Sequence, residues 1–189
     1  MNQSLGSAVI IQSSDVSPTL WRAERNGVAV AGVGAAGLLQ GPLTAFFASR
    51  QCLGTAVRAA TDWALQQARE RGAVIGGFHS PLEQSVLRLL MEAGSSIVVV
   101  LARPVAGASL NNAWRGALDA GRMAVVSCSA STQRLTEQAA NERNEIAARL
   151  ADRIVVGHAS PDGTLARQYA RWLADGLMLR HIDDADGPG

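Results

Sequence analysis

The chain repeats one pattern five times: a short apolar, β-branched run, a turn, then an amphipathic helix. The runs are LTAFFAS (43–49), AVIGGF (73–78), SIVVVLA (96–102), MAVVSCS (123–129) and RIVVGHA (153–159). Between them lie helical segments at 55–71, 81–94, 110–121, 132–151 and 163–176, and LMLRHI (177–182) closes the series as a strand. Helical spacing turns Val57, Ala60, Ala64 and Ala68 inward in the first segment. It does the same for Leu82, Val86, Leu89, Leu90 and Ala93 in the second, and for Leu165, Tyr169, Trp172 and Leu173 in the last. The segment 132–151 is the longest helix expected. SIVVVLA is apolar at nearly every position, as in a strand buried on both faces. Such alternation requires an α/β fold of three layers, a mainly parallel sheet with helices on both faces. No linker or repeat divides it. Residues 28–182 read as one domain, 1–27 as an N-terminal arm ending at the tight-turn pair Asn26-Gly27, and 183–189 as a disordered tail.

Composition narrows the function classes. The chain has 189 residues, 48% hydrophobic and 17% charged, enough to bury a core without staples. All 17 basic residues are arginine, spread along the chain, and the net charge of +1 gives no global attraction to nucleic acid. Nucleic-acid binding then requires a local patch. Cys52 and Cys128 stand far apart without a CxxC or histidine-rich setting, which argues against a disulfide framework or a zinc site. No signal peptide and no 18-residue apolar run is present, so a cytoplasmic protein without membrane association is expected. No cofactor is expected.

AGVGAAG (31–37) has the G-x-G-x-x-G spacing of a dinucleotide-binding turn. That turn must open a helix whose N-terminus faces the pyrophosphate, with an acid about 20 residues on for the ribose. Here LLQGPL follows and a strand begins at once, and residues 55–60 (TAVRAA) contain no acid. Both requirements fail, and the glycines are read as shaping a turn.

In parallel sheets ligands sit at the carboxyl ends of the strands. Four stretches fall there. Ser49 and Arg50 end a strand before Gly54 opens a helix, an arrangement that suits an anion or a plain capped turn. Gly76, Gly77, Phe78 and His79 end the next strand, where glycine permits close approach of a ligand to the backbone. Ser80-Pro81-Leu82-Glu83 behind them is a complete capping box. Arg103 follows the third strand. Arg143 lies on the stripe of Ala139, Ile146 and Leu150, so with Asn144 it contacts a ligand or forms a buried structural pair. Ser160, Gly163 and Thr164 surround the start of the last helix, where free N–H groups suit phosphate and Asp162 stands in the position of a cap.

Taken in order, AFFASRQCLGTAVRAATDWA, AVIGGFHSPLEQSVLRLLMEAG, SIVVVLAR and TEQAANERNEIAARLADRIVVGHASPDGTLARQYARWLADG resemble the Rossmann-like domain of the DprA/Smf DNA-processing proteins. The likeness covers about residues 28–182, and Arg143-Asn144-x-Ile146 followed by LADRIVV is its most specific part. It implies a three-layer Rossmann-like fold that binds single-stranded DNA at the carboxyl edge of the sheet and self-associates as a homo-oligomer. It also implies delivery of the strand to a recombinase partner, with no established catalytic activity. It places Ser49-Arg50, Gly76 to His79, Arg143-Asn144 and Ser160 to Thr164 in the pocket. The wider superfamily adds small-nucleotide sensors and phosphoribohydrolases, so a nucleotide is the alternative ligand. Two departures stand out. GGFHSPLE lacks the arginine of the family's second strand end, and Ser160 to Thr164 is not followed by the hydrolases' catalytic glutamate. The flanking domains of longer members are not expected. Nucleotide hydrolysis is not expected either.

Overall fold

The computed structural model describes residues 19–129 and 136–182. Strands β1 (Trp21–Arg25) and β2 (Val28–Gly34) lead through a 3-10 turn (Ala36–Leu39) into β3 (Leu43–Ala48). The chain then alternates α1 (Gly54–Glu70), β4 (Ala73–Gly76), α2 (Pro81–Glu92), β5 (Ile97–Val100), α3 (Asn112–Asp119) and β6 (Met123–Ser127). It ends with α4 (Glu137–Leu150), β7 (Arg153–His158), α5 (Thr164–Ala174) and β8 (Leu179–His181). These strands form one sheet in the order β1-β2-β6-β5-β4-β3-β7-β8. The six strands from β3 onward are mutually parallel, and the β1–β2 hairpin pairs antiparallel onto β6. From β3 the chain steps outward through β4, β5 and β6. It then returns through α4 to place β7 on the other side of β3. The strand order reverses there, and the crevice between the carboxyl ends of β3 and β7 is the switch point.

The sheet is buried on both faces because successive side chains alternate across it. Phe46 points to the face covered by α1, α2 and α3 and stacks on Trp63 at 4.8 Å. Phe47 points to the face covered by α4 and α5 and meets Trp172 at 4.9 Å. The apolar run of β5 is fully buried, as expected.

Several expectations change in detail. The arm drawn through residue 27 gives way at Trp21, where β1 joins the sheet by pairing with β2; residues 1–18 and the expected tail 183–189 lie outside the described residues. The Asn26-Gly27 turn is present, with both residues at positive φ (51° and 72°). In α1 the inward face is Ala56, Ala60, Trp63 and Ala64, and Val57 is 44% exposed. The Trp63 ring takes the central inward position and rotates Val57 outward. In α2, Glu83 and Leu87 are buried, while Ala93 is exposed. In α5, Gln168 joins Leu165 and Trp172 inside, while Leu173 is exposed. The helix expected over 132–151 begins at Glu137, capped by Thr136, and its 14 residues make it shorter than α1 with 17; residues 130–135 lie outside the described residues.

Two of the three glycines of AGVGAAG have structural reasons, Gly32 and Gly34. Gly32 lies against the Trp21 ring, so a Cβ there would sit 2.4 Å from it. Gly34 has φ +83°, with the Met123 carbonyl 2.3 Å from where a Cβ would be. Gly37 sits in the 3-10 turn with open space around it. Because β2 is antiparallel to β6, this turn lies at the amino edge of the parallel strands, opposite the switch point.

Candidate functional site

Two loops meet at the switch point, one after β3 and one after β7, and Ser49 joins them. Its backbone N–H donates to the His158 carbonyl (2.8 Å), and its Oγ accepts the Ser160 N–H (2.9 Å). The loops lead into α1 and α5. Neither helix has a side-chain hydrogen bond at its N-cap (Leu53 and Gly163) or an acidic residue in its first turn. The other three helices are capped by Ser80, Asn111 and Thr136. Asp162, expected as the cap of α5, instead takes a left-handed conformation at φ +58°, and its carbonyl accepts from Arg167 Nη1. The two helices at the switch point therefore keep the positive ends of their dipoles open toward the crevice.

Arg143 reaches the same edge from α4. It is only 5% exposed. Nη2 donates to Asn144 Oδ1 (3.0 Å), whereas Nε and Nη1 have no partner among the described residues. A buried guanidinium normally has its donors satisfied. The side chain lies against Gly77, where a Cβ would come within 2.1 Å of Nε. The close approach that glycine permits at position 77 is therefore to Arg143. Asn144 positions this arginine, since its Oδ1 holds Nη2 and its Nδ2 donates to Gln168 Oε1 (3.3 Å). Gln168, 3% exposed, is held in turn by Glu145 and the Asn141 carbonyl.

Glu83 organises the neighbouring loop. Beyond its capping-box bond to Ser80 N–H (3.1 Å), its carboxylate accepts the N–H of His79 (2.7 Å) and of Ala48 at the end of β3 (2.9 Å). Burial pushes this carboxyl above the usual carboxylate range, while the three backbone N–H groups and Arg143 favour its charged form. With both oxygens committed to backbone donors, Glu83 is a staple between β3 and the β4–α2 turn. His79 is exposed, and its pKa is lowered by desolvation and by the nearby guanidinium groups of Arg143 and Arg50. Arg50 is exposed at the rim.

The structure thus gathers Ser49, Arg50, Gly77, His79, Arg143 and Ser160 at one end of the sheet. Gly76 packs its backbone near the Phe46 carbonyl and Phe78. Phe78, at φ +50°, is 4% exposed and belongs to the core on the α1–α2–α3 face, so it offers no open stacking platform to the crevice. Gly163 is the N-cap of α5. Thr164 Oγ1 donates to Glu137 Oε1 (3.1 Å) and accepts from Arg167 (3.2 Å), tying α5 to α4. Arg103 stands apart, at the end of β5, with Nη2 on the Ser109 carbonyl (3.2 Å). Sequence reasoning read Glu83 as a cap without its bond to Ala48, and it did not single out Trp114, Arg88 or Met91, which line a cleft beside Gly77 and His79. Among the described residues no cluster of side chains suits a metal ion, and no helix is long and apolar enough to cross a membrane.

No protein-family model matches the chain, and no curated protein sequence matches it. Solved structures do. DNA processing protein A (DprA) from Streptococcus pneumoniae is similar with a TM-score of 0.67 and 17% identity over 82% of this chain, which spans 54% of that protein's length. DprA from Helicobacter pylori, described for its single-stranded DNA binding mode, is similar with a TM-score of 0.60 and 13% identity, covering 82% of this chain and 81% of that one. The molybdenum cofactor binding protein of Rippkaea orientalis is similar with a TM-score of 0.52 and 13% identity, over 74% of this chain and 75% of that one. The strand order, the helix layers and these likenesses agree: the chain folds as a DprA-like Rossmann-like domain.

Proposed function

We propose that the chain binds single-stranded DNA through its phosphate backbone at the switch point, in DNA processing, uptake or recombination. The observation that carries this reading is Arg143, a buried guanidinium with two unpartnered N–H donors, at the edge of the sheet where two helices start without side-chain caps. Phosphate oxygens match both the guanidinium fork and open helix N–H groups. Arg50 at the rim adds local positive potential to a chain of near-neutral charge, and His79 beside it offers a hydrogen-bonding imidazole. The fold likeness to DprA supports the choice of ligand. On this reading the protein self-associates on the strand and delivers it to a recombinase.

Fluorescence anisotropy of a labelled oligothymidylate tests the proposal. With about three phosphate contacts on a single strand, log affinity falls against log salt with a slope of about −2. Arg50→Ala and Arg143→Ala each weaken binding and flatten the slope. Absence of binding at low salt overturns the reading. A second reading, a small nucleotide, is favoured by the burial of Arg143, since a terminal phosphate enters a narrow cradle more readily than a phosphodiester. Thermal stabilisation by a mononucleotide and not by the oligonucleotide selects it.

A further inference from the structure

Beside the phosphate cradle, the ends of β4 and β5 open into a cleft of about 840 Å³ between α2 and α3. Gly77 and His79 belong to both. The size is that of a small-molecule site. Its inner surface is apolar and aromatic, made by Phe78, Leu87, Met91, Leu101 and the half-buried Trp114. The rim is polar: Arg88 and Arg103 supply cations, and the Asn111 and Gln84 amides supply hydrogen-bonding groups. Asn111 Oδ1 is committed to the Ala113 N–H as the cap of α3, which fixes the amide and leaves its NH2 as a donor. Within the loop between β5 and α3, Arg103 Nη2 donates to the Ser109 carbonyl (3.2 Å).

A largely apolar cleft with one indole, a donor rim and an anion cradle beside it matches one kind of ligand: a planar heteroaromatic ring carrying a phosphate. We infer that this cleft is a nucleobase pocket, occupied by an unpaired base whose own phosphate lies at Arg143 and His79. The inference rests on the phosphate-binding reading of the switch point. It adds what that site lacks, a large aromatic surface, because Phe78 is buried and the other ring among the residues placed there is the small imidazole of His79. Stacking on an aromatic tolerates any base, so the pocket favours bases over no base more than one base over another.

Three probes separate the sources of the base: an oligothymidylate, an abasic oligonucleotide of the same length, and adenosine 5′-monophosphate. Binding is followed by anisotropy and by quenching of tryptophan emission. The oligothymidylate is expected to bind about tenfold more tightly than the abasic strand, the equivalent of one base stacked on one ring. Trp114→Ala removes that difference, and Trp114→Phe retains most of it. Ala113→Phe, which fills the cleft from an exposed position on α3, removes it without touching the core and covers the case in which Trp114→Ala fails to fold. Quenching by the mononucleotide, lost in Ala113→Phe, without oligonucleotide binding supports the pocket with a free nucleotide as its source and overturns the DNA reading. Equal binding of the base-bearing and abasic strands, with no quenching by the mononucleotide, overturns the pocket and leaves the phosphate reading standing. No binding of any probe overturns both.

Discussion

The contact between Gly77 and Arg143 links a strand end to a helix 66 positions later, and it decides how both residues respond to change. Gly77→Ala places a methyl group 2.1 Å from Nε, so the guanidinium must move. The expected cost is about 1–3 kcal/mol of stability, from overpacking, together with weaker oligonucleotide binding. In an Arg143→Ala background those nearest contacts are gone, and a double-mutant cycle is expected to show coupling of about 1 kcal/mol or more. Chemical denaturation of the four proteins measures it. His79 is the residue that makes the site respond to pH. Its pKa is lowered by desolvation, then by Arg143 and Arg50, so the folded free protein resists protonation that the unfolded chain accepts at about 6.5. The unfolded state therefore binds more protons in that window. The stability His79 contributes is full above about pH 6.5 and is lost as pH falls toward its folded value. A bound phosphate reverses the preference by stabilising the imidazolium. Oligonucleotide affinity is expected to rise as pH falls from about 8 to about 5.5, and His79→Ala to abolish most of that rise.

Among the elements, the β4–α2 turn depends most on a single side chain. Ser80→Ala removes one cap bond at a cost of about 1 kcal/mol. Glu83→Ala leaves the N–H groups of Ala48, His79 and Ser80 without their acceptor and is expected to cost about 3 kcal/mol or more. Thermal melts of the two variants give the comparison. The capping box was legible because Ser80 and Glu83 stand three residues apart at the start of an apolar helical pattern. The bond to Ala48 was not, because a backbone N–H 35 residues away has no signature in the sequence. The same division runs through the other elements. Strands β3 to β7 and all five helices were legible from their periods. The inward faces of α1 and α5 were misjudged at Val57 and Leu173, since Trp63 and Gln168 take inward positions that periodicity assigned to neighbours. Strand β1 was missed because WRAER carries three charged residues, tolerable only where alternate side chains face solvent at a sheet edge. At the candidate site, the shared edge of Ser49, Arg50, Gly77 and Arg143 was legible from their places at strand ends and on an apolar stripe. The partner of Gly77 emerged only from the tertiary fold.

At the scale of the whole molecule, each of the two helical layers is pinned to the sheet by a buried aromatic pair, Phe46 with Trp63 and Phe47 with Trp172. Trp172 is 1% exposed, and its indole N–H donates to Glu145 (2.7 Å). Trp172→Ala is expected to cost about 3–5 kcal/mol, read from denaturant midpoints, with a loss of binding that tracks folding. The β1–β2 hairpin is attached differently. It closes locally through a two-residue turn, yet its bond to the rest of the sheet pairs Ala31 with Ser127, after most of the other strands have been laid down in the chain. Further tethers are Arg25 paired with Asp152, which also accepts the Leu43 N–H (2.7 Å), and Asn26 Nδ2 donating to the Arg149 carbonyl (2.9 Å). Closing so long a loop is slow relative to forming the consecutive βαβ units of β3 to β6. The hairpin is therefore a late-docking unit that opens before the parallel sheet does. In native-state hydrogen exchange its amides are expected to exchange through a lower-energy opening than those of β3 to β5, and Arg25→Ala to lower that opening further while leaving the global unfolding transition little changed.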